Sequence, residues 1–413
     1  MKIKITPPSR KIKNFMLLPS SKSISNRALI IQALCKQKFK LKNLSESDDT
    51  RVLISALQNL EQQDTVNVGA AGTAMRFLTA YLSMIKGERT LTGSDRMKQR
   101  PIFPLVNILR ELGANIGYTE KDGYPPLKIK GKNLVSKPVK IKGNISSQYI
   151  SALLMISPYF NQDFKLTIED KILSGDYIQM TIALMQYFGV NVLWNDNEII
   201  VKKGNYQPKE LIVEADWSSA SYWFEIVTLT KGATIELTGL DKNSMQGDAV
   251  LPELFKSLGV NSVFTNFGIQ IKNIPATSNY FEYDFTNCPD LAQTLAVTLV
   301  AKEIPFKLTG LDNLSIKETD RIQALITELG KLGISIRHDN NYTMSWDGDE
   351  QIRVPEKHFV ETYKDHRMAL AFAPLVIITD ELMINDPKVV TKSYPNYWEN
   401  LEEVGFNTEY ITR

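Results

Sequence analysis

Hydrophobic and polar positions follow a pattern that predicts one supersecondary unit repeated along the chain. In each copy a Leu- and Ile-rich strand ends in a polar segment, an amphipathic helix follows, and a Gly leads into another strand. One copy, LTGSDRMKQRPIFPLVNILRELGANIGY, spaces its apolar residues for one helix face. Those residues are Ile102, Leu105, Ile108, Leu109 and Leu112. Pro101 suits the first turn of this helix and Gly113 its end.

The repeat is long, and its length predicts the architecture. The glycines that end five of these helices are Gly113, Gly189, Gly259, Gly333 and Gly405. They recur roughly every 70 residues, longer than the about 20–50 residues of solenoid repeats, so a small β-α-β-α-β-β subdomain fits better. A sixth, eroded copy is expected to start at NLSESDDTRVLISALQNL.

Six copies predict a mixed α/β (α+β) protein of two domains with three repeats each. We expect the first domain to span residues 19–214, and the second to combine residues 1–18 with residues 215–413. In this arrangement the first strand, Lys2–Ile5, pairs with the C-terminal half of the chain.

Composition narrows the class of protein. Apolar residues make up 43% of the chain and charged residues 23%, which excludes wholesale disorder. A net charge of +2 without a basic run argues against a nucleic-acid partner, and the absence of a long apolar stretch argues against a membrane partner. Two cysteines and no signal-peptide pattern favour the cytoplasm. The three histidines, His338, His358 and His366, lack zinc-ligand spacing, so no metal is expected. We expect a monomer.

The placement of arginine points to anionic ligands. The chain has 13 Arg against 35 Lys, and no Arg lies between Arg110 and Arg321. Several arginines fall in short polar segments, where their planar fork suits carboxylate or phosphate. These are Arg27, Arg76, Arg96, Arg100, Arg321 and Arg367.

Most polar segments sit where a repeat helix begins, and a helix N-terminus attracts anions. In the first half they are Lys22-Ser23-Ile24-Ser25-Asn26-Arg27, the segment around Gly72, Arg96–Pro101, and Ser146-Ser147-Gln148, with Ser174 in a comparable place. Ordinary capped helices with solvated charges would give the same residues. Their shared location favours a cleft that binds a ligand with several negative charges.

The second half adds acids to the cations. Glu318, within Lys317-Glu318-Thr319-Asp320-Arg321, could be a proton donor or one arm of an ion pair. Asp290 could be functional or could simply cap the helix that follows it. His366, within Asp365-His366-Arg367-Met368, could equally be a structural histidine.

Taken together, these segments resemble a known family. SKSISNR, GTAMR, RMKQRP, SSQ, VEADWSSAS, NSMQGD, KETDR, DHRM and KSYPNY occur in the order found in 5-enolpyruvylshikimate-3-phosphate synthases. The resemblance implies the two-domain enolpyruvyl transferase fold, with the active site in the interdomain cleft. It also implies transfer of enolpyruvyl from phosphoenolpyruvate to shikimate 3-phosphate, on the route to chorismate and aromatic amino acids, without a cofactor.

The resemblance assigns residues to each substrate. Those matching phosphoenolpyruvate contacts are Lys22, Gly72, Arg100, Gln148, Arg321, Arg367 and Lys392. Those matching shikimate 3-phosphate contacts are Lys22, Ser23, Arg27, Ser146, Ser147, Gln148, Ser174, Asp290, Asn313 and Lys317. Asp290 matches the proton acceptor and Glu318 the proton donor, with Lys22 as a second candidate donor. We expect so many cations to repel one another while the cleft is empty.

The chain departs from the family pattern at positions close to these residues. Ser20, Ala70, Phe77, Gly175 and Ser315 replace the usual Gly, Asn, Pro, Lys and Arg. None of them is a proton-transfer residue, so we expect effects on affinity. Gly72 keeps the backbone open beside the phosphoenolpyruvate site, and from this we expect sensitivity to glyphosate.

Two alternatives remain. The UDP-N-acetylglucosamine enolpyruvyl transferases share the fold and the donor, but they carry a Cys in a mobile loop of the first domain. Cys35 and Cys288 do not fit that position, and KETDR and SSQ favour the shikimate enzyme. A non-catalytic anion-binding protein is the second alternative. Assaying phosphate release with each acceptor would separate all three.

Overall fold

The computed structural model describes residues 1–9, 11–339, 342–354 and 359–412, so His358 lies outside the described residues. The chain forms two compact units. Ser20–Val213 is the continuous unit, and Met1–Pro19 together with Glu214–Arg413 is the discontinuous unit. The boundaries expected from the sequence differ from these by one residue at each crossing.

The elements follow one another in this order along the chain. The N-terminal segment gives β1 (Lys2–Thr6) and β2 (Lys13–Leu17). The continuous unit then contains α1 (Lys22–Leu34), β3 (Leu41–Lys42), α2 (Asp48–Gln58), β4 (Thr65–Asn67), α3 (Gly72–Leu82), β5 (Gly87–Thr92), α4 (Asp95–Lys98), α5 (Phe103–Glu111), β6 (Asn115–Tyr118), β7 (Leu127–Gly131), β8 (Val139–Lys142), α6 (Ser147–Ile156), β9 (Phe164–Glu169), α7 (Gly175–Tyr187), β10 (Val192–Asn195), β11 (Glu198–Val201) and β12 (Leu211–Ile212).

The remainder of the discontinuous unit continues the alternation of helices and strands. It contains α8 (Trp217–Leu229), β13 (Thr234–Thr238), α9 (Leu251–Lys256), β14 (Val260–Phe264), β15 (Gly268–Asn273), β16 (Phe281–Asp284), α10 (Ala292–Ala301), β17 (Phe306–Thr309), α11 (Arg321–Gly330), β18 (Arg337–His338), β19 (Met344–Trp346), β20 (Phe359–Val360), α12 (His366–Phe372), α13 (Val376–Thr379), β21 (Leu382–Asn385), α14 (Tyr397–Glu403) and β22 (Asn407–Ile411). Short 3₁₀ helices lie at Gly247–Val250, Pro289–Leu291 and Leu314–Ile316.

Each unit contains three small sheets, and the sequence repeat accounts for them. In the continuous unit two sheets have the strand orders β4-β5-β7-β6 and β8-β9-β11-β10, and the third is the parallel pair β3 and β12. In both four-stranded sheets the first two strands run parallel and the other two form an antiparallel hairpin. One strand of the two-stranded sheet, β3, lies directly before residues 43–60, where the sequence predicted the eroded copy to start.

The discontinuous unit uses the same strand order three times. Its sheets are β2-β13-β15-β14, β16-β17-β19-β18 and β20-β21-β1-β22. In the last sheet β1 takes the inner position of the hairpin, so Ile3 lies opposite both Ile384 and Tyr410. The expectation that the first strand pairs with the C-terminal half is therefore confirmed.

The central helices are more buried than amphipathic spacing predicts. Amphipathic spacing predicts one buried face for each repeat helix, yet most residues of α1 are buried, including Asn26 and Arg27. Every residue of α3 is buried. A helix surrounded by other helices has no solvent face, and α3 packs against α1, α2, α5 and α6. Polar residues on these helices therefore need partners inside the protein.

The five glycines that end the repeat helices all adopt positive φ, between 80° and 106°. That conformation reverses the chain direction after a helix and favours glycine. Within the described part of the chain, every helix is too short or too polar to cross a bilayer.

One close approach between backbones gives a test of the packing. Gly131 ends β7, and a Cβ atom there would overlap the carbonyl of Ile85. Gly117, on β6 of the same sheet, has only Lys128 O at 4.0 Å from the same added atom. We expect Gly131→Ala to destabilise the protein by about 1–3 kcal/mol or more, as overpacking does, whereas Gly117→Ala stays close to wild type. Thermal unfolding of both variants measures this, and equal melting temperatures would contradict the packing.

Candidate active site

In the continuous unit, several of the predicted residues lie where α1 begins. Ser21 precedes the helix, and its Oγ accepts a hydrogen bond from the Ile24 backbone N–H at 3.4 Å. Lys22 and Ser23 occupy the first turn and remain partly exposed. The remaining N–H groups of this turn and the positive end of the helix dipole face the same region as Lys22. The start of α1 is thus suited to an anion.

Arg27 connects α1 to three other helices. Its Nε donates to Thr181 Oγ1 at 2.7 Å on α7, and Nη2 donates to Ser151 Oγ at 3.2 Å on α6 and to Tyr177 O at 3.2 Å. The ring of Phe77, on α3, lies 5.5 Å from the guanidinium carbon. Phe77 is one of the departures from the family pattern, and its ring gives the arginine a cation–π contact.

Among the described residues, the charge of Arg27 lacks a carboxylate counter-ion. The side chain is 2% exposed, and no Asp or Glu of residues 1–9, 11–339, 342–354 and 359–412 lies within 4.0 Å of its guanidinium. Burial lowers its pKa to about 10, which opposes the charged form, while Tyr177 acts in the other direction. Across the same residues, Lys22 and Arg100 also lack an ion pair. Because buried charge requires compensation, Arg27 is suited to receive negative charge from a ligand.

The starts of α3 and α6 are joined by side chains. Ser146 precedes α6, and its Oγ accepts from the Gln148 N–H at 3.4 Å. Gln148 Nε2 donates to Thr73 Oγ1 at 3.2 Å on α3. Ser147 is buried beside it. Ser174, just before α7, has a φ of 57°, a conformation uncommon for residues other than glycine.

Gly72 begins α3 and lies against two arginines. A Cβ atom at this position would come within 2.8 Å of Arg100 Nη1 and 3.0 Å of Arg76 Nη1. Arg76 Nη1 also donates to Gly72 O at 3.0 Å. The absence of a side chain therefore lets the Arg100 head group approach the helix start closely.

The discontinuous unit arranges its charges around Arg321. This residue begins α11 and is 2% exposed. Its three nitrogens bind three carboxylates: Nε to Asp365 at 2.8 Å, Nη1 to Asp290 at 3.0 Å and Nη2 to Glu318 at 3.0 Å. Burial alone would lower the pKa of Arg321, but Asp365, Glu318 and Asp290 outweigh it and hold that pKa above its usual range.

Two further cations complete the network. Arg367 Nη2 binds the second oxygen of Asp290 at 2.9 Å, and Lys392 Nζ binds the second oxygen of Glu318 at 2.7 Å. Both oxygens of Asp290 and both oxygens of Glu318 are thus bound by cations. In this unit acids are paired with Arg321, Arg367 and Lys392, and they offset the repulsion expected among the cations.

The structure also shows the contacts of the acids and the histidine whose roles the sequence left open. Asp290 lies in the 3₁₀ helix before α10, and its carboxylate binds arginines. Glu318 does form ion pairs, and this leaves its proton-transfer role as a proposal. His366 is buried, with Nδ1 3.5 Å from Asp365 Oδ1. Asn313 and Lys317 flank the 3₁₀ helix Leu314–Ile316, directly before Glu318.

The structure therefore sorts the sequence-predicted residues into two groups. The residues in the continuous unit are Lys22, Ser23, Arg27, Gly72, Arg100, Ser146, Ser147, Gln148 and Ser174. The residues in the discontinuous unit are Asp290, Asn313, Lys317, Glu318, Arg321, Arg367 and Lys392.

Sequence reasoning missed the residues that hold the arginines in place. Asp365 was noticed in its motif but received no role, although it accepts from Arg367 N at 2.9 Å as well as binding Arg321. No pattern in the sequence distinguishes Thr181 and Ser151, which accept hydrogen bonds from Arg27. Within the described ranges, no group of three or more His, Cys, Asp or Glu is placed to hold a metal ion.

Comparison with known proteins gives the family. The profile of the family described as EPSP synthase (3-phosphoshikimate 1-carboxyvinyltransferase) matches residues 7–65 and 61–401. A 3-phosphoshikimate 1-carboxyvinyltransferase of Bacteroides fragilis (strain YCH46) is 48% identical over 407 residues, covering 98% of this chain and 98% of that protein. The protein of the same name from Vibrio campbellii is 36% identical over 428 residues, covering 96% and 97%.

Solved structures agree at the level of the fold. EPSP synthase from Acinetobacter baumannii matches with a TM-score of 0.79 at 21% identity, over 99% of this chain and 100% of that chain. The enolpyruvyl transferase NikO from Streptomyces tendae matches with a TM-score of 0.77 at 14% identity, over 100% and 99%. The fold class expected from the sequence is confirmed, and the profile match together with the 48% identity shows that the chain belongs to the EPSP synthase family.

Proposed function

We propose that this protein transfers the enolpyruvyl group of phosphoenolpyruvate to the 5-hydroxyl of shikimate 3-phosphate and releases phosphate. Family membership supports the reaction. The observation that carries it in the structure is that Asp290 and Glu318, the two carboxylates expected to move protons, share one buried guanidinium, Arg321. The proposal further takes the protein to be a cytoplasmic monomer with neither nucleic acid nor membrane as a partner.

Shikimate 3-phosphate is assigned first to the α1, α6 and α7 starts. Lys22, Ser23 and Arg27 would bind its phosphate, with Ser146 and Ser147 supplying hydroxyl and backbone donors. The observation behind this is the buried Arg27 without a carboxylate partner within 4.0 Å in the described part of the chain, because an anionic ligand would supply the missing charge. Ser174, Asn313 and Lys317 are assigned to the parts of shikimate 3-phosphate other than its phosphate. The full set of residues assigned to shikimate 3-phosphate is Lys22, Ser23, Arg27, Ser146, Ser147, Gln148, Ser174, Asp290, Asn313 and Lys317.

Phosphoenolpyruvate carries a carboxylate and a phosphate, and the remaining cations suit both groups. The residues that the family resemblance assigns to it are Gly72, Arg100, Arg321, Arg367 and Lys392, with Lys22 and Gln148 assigned to both substrates. Arg100 lies beside the open backbone of Gly72.

The chemistry requires a proton at C3 of phosphoenolpyruvate before C2 becomes electrophilic. Glu318, with Lys22 as a second candidate donor, would supply that proton, and Asp290 would accept the proton of the attacking 5-hydroxyl. The tetrahedral adduct then loses a proton from C3 and expels phosphate by cleavage of its C–O bond. The surrounding cations stabilise the negative charge of the departing phosphate.

The ion pairs couple ligand binding to the proton-transfer groups. In the structure Arg321 and Lys392 bind Glu318, and cations at 3.0 and 2.7 Å favour its carboxylate form. A ligand that draws these cations to its own oxygens removes that preference and lets Glu318 hold a proton. In the same way, a ligand that draws Arg367 away would expose one oxygen of Asp290. Phosphoenolpyruvate would thereby activate the residues that transform it.

Phosphate release tests the reaction directly. Purified protein with phosphoenolpyruvate is expected to release phosphate when shikimate 3-phosphate is added. Shikimate, which lacks the phosphate, is expected to give a much slower rate because Arg27 and Lys22 lose their ligand. UDP-N-acetylglucosamine is expected to give none. Release with the nucleotide sugar alone would replace the proposal by the alternative acceptor, and release with no acceptor would contradict it.

Replacing either carboxylate tests the proton-transfer roles. Asp290→Asn and Glu318→Gln preserve shape and remove the charge, so we expect kcat to fall by about 10²–10⁴-fold. Isothermal titration is expected to show that shikimate 3-phosphate still binds. The control is Glu282→Gln, which removes an exposed carboxylate paired with Lys307 at 3.0 Å and should leave turnover unchanged. Near-normal turnover by either variant would remove its assigned role.

Substitution of Gly72 tests the phosphoenolpyruvate site. The added methyl group of Gly72→Ala would displace the Arg100 head group. We expect KM for phosphoenolpyruvate and the glyphosate concentration for half inhibition each to rise about tenfold, equivalent to about 1.4 kcal/mol, with KM for shikimate 3-phosphate unchanged. Gly330→Ala is the control, since nothing lies within 4 Å of its added Cβ. Unchanged inhibition in Gly72→Ala would rule out this geometry.

A further inference from the structure

Two sequence motifs that the proposed reaction leaves unused meet at the start of α8. The motif VEADWSSAS contains Asp216, which caps α8 by accepting from Ser219 N at 2.8 Å. The motif NSMQGD lies against it. Gln246 Nε2 donates to Ala215 O at 2.8 Å, and its Oε1 accepts from Trp217 N at 3.2 Å. The second motif is therefore fixed on the first turn of α8.

This junction places Asp248 next to the charged network. Asp248 lies in the 3₁₀ helix Gly247–Val250 and is 5% exposed. Its carboxylate accepts a hydrogen bond from Ser218 Oγ. The same Oγ accepts from Arg367 Nη2 at 3.4 Å. One hydroxyl thus links a buried carboxylate to an arginine assigned to phosphoenolpyruvate.

The direction of these hydrogen bonds determines whether Ser218 can accept from Arg367. A serine hydroxyl has one proton and two lone pairs, whereas a guanidinium only donates. When the Ser218 proton points to ionised Asp248, the lone pairs of Ser218 are available to Arg367. We propose that Asp248 is a positioning residue which, through Ser218, orients Arg367 for phosphoenolpyruvate. This inference rests on the proposed function, because it uses the role given there to Arg367.

The other contacts of Arg367 show why such a link is useful. Its Nη2 binds Asp290 at 2.9 Å, and its Nη1 lies 3.3 Å from both Tyr222 Oη and the Asp290 carbonyl. If the ligand replaces the Asp290 carboxylate, that contact is exchanged during the reaction. The neutral hydroxyls of Ser218 and Tyr222 can keep their contacts, so they hold the head group while its charged partner changes.

The environment of Asp248 makes the link sensitive to pH. Burial raises the pKa of Asp248 to about 7, and the charges of Asp290 and Asp216 act in the same direction. The hydrogen bond from Ser218 and the charge of Arg367 oppose them. Above about pH 7 the carboxylate is ionised and fixes the Ser218 proton. Below it, a protonated Asp248 no longer fixes that proton, and the hold of Ser218 on Arg367 weakens.

Steady-state kinetics of Asp248→Asn, Ser218→Ala and the double variant test the proposal. At pH 8 each single variant is expected to raise KM for phosphoenolpyruvate about tenfold, with KM for shikimate 3-phosphate within twofold of wild type. The double variant is expected to be no worse than the more affected single variant, because both residues act along one chain of contacts. In wild type, KM for phosphoenolpyruvate should rise as the pH falls through 7 more steeply than in Asp248→Asn.

The control is Glu253→Gln, an exposed carboxylate on α9 whose loss should change neither KM. An unchanged KM for phosphoenolpyruvate in an active Asp248→Asn would overturn the positioning role and leave the reaction intact. Additive effects in the double variant, or equal rises in both KM values with a lower melting temperature, would also overturn it. If Asp248→Asn does not fold, Ser218→Ala and its pH profile carry the test. A wild-type protein without turnover would overturn the reaction and the inference together.

Discussion

Charge that is buried must be compensated, and the two units of this protein meet that requirement differently. In the discontinuous unit Arg321 binds three carboxylates, and Arg367 and Lys392 take their remaining oxygens. In the continuous unit Arg27 is equally buried, but its guanidinium contacts two hydroxyls, two backbone carbonyls and two aromatic rings. The Arg321 network pairs its cations with carboxylates, whereas the positive charge of Arg27 is left for a ligand to neutralise.

Under the proposed function, the two substrates meet different electrostatic conditions in the two units. A phosphate that reaches Arg27 would bind a buried cation. Among the described residues, no carboxylate lies within 4.0 Å to compete for it. A ligand for Arg321 must instead displace carboxylates that already satisfy it. Breaking a buried ion pair is costly unless new charge replaces the old. Under the proposed function, binding there is an exchange of partners, and the freed carboxylates include the two assigned to proton transfer, Asp290 and Glu318.

The sequence predicted the repeat and most of the helix starts, because both depend on local signals. Apolar spacing and a glycine with positive φ after each helix are readable within a few residues. The ion pairs were not predictable in this way. Arg321 and Asp365 are 44 residues apart and Arg367 and Asp290 are 77 apart, and no local pattern says which acid meets which cation. Thr181 and Ser151 are ordinary polar residues until the packing of α6 and α7 brings them to Arg27. The complete burial of α3 likewise depends on its neighbours.

The strand order of the discontinuous unit bears on how the protein can be made. All strands of the continuous unit lie within residues 20–213, so that unit can assemble while the ribosome is still adding later residues. β1 has no such opportunity, because both of its neighbours, β21 and β22, emerge near the other end of the nascent chain. Until then its edges stay open to water and to chaperones, and contacts this distant in sequence close slowly. The last sheet to form therefore depends on one of the first segments to be translated.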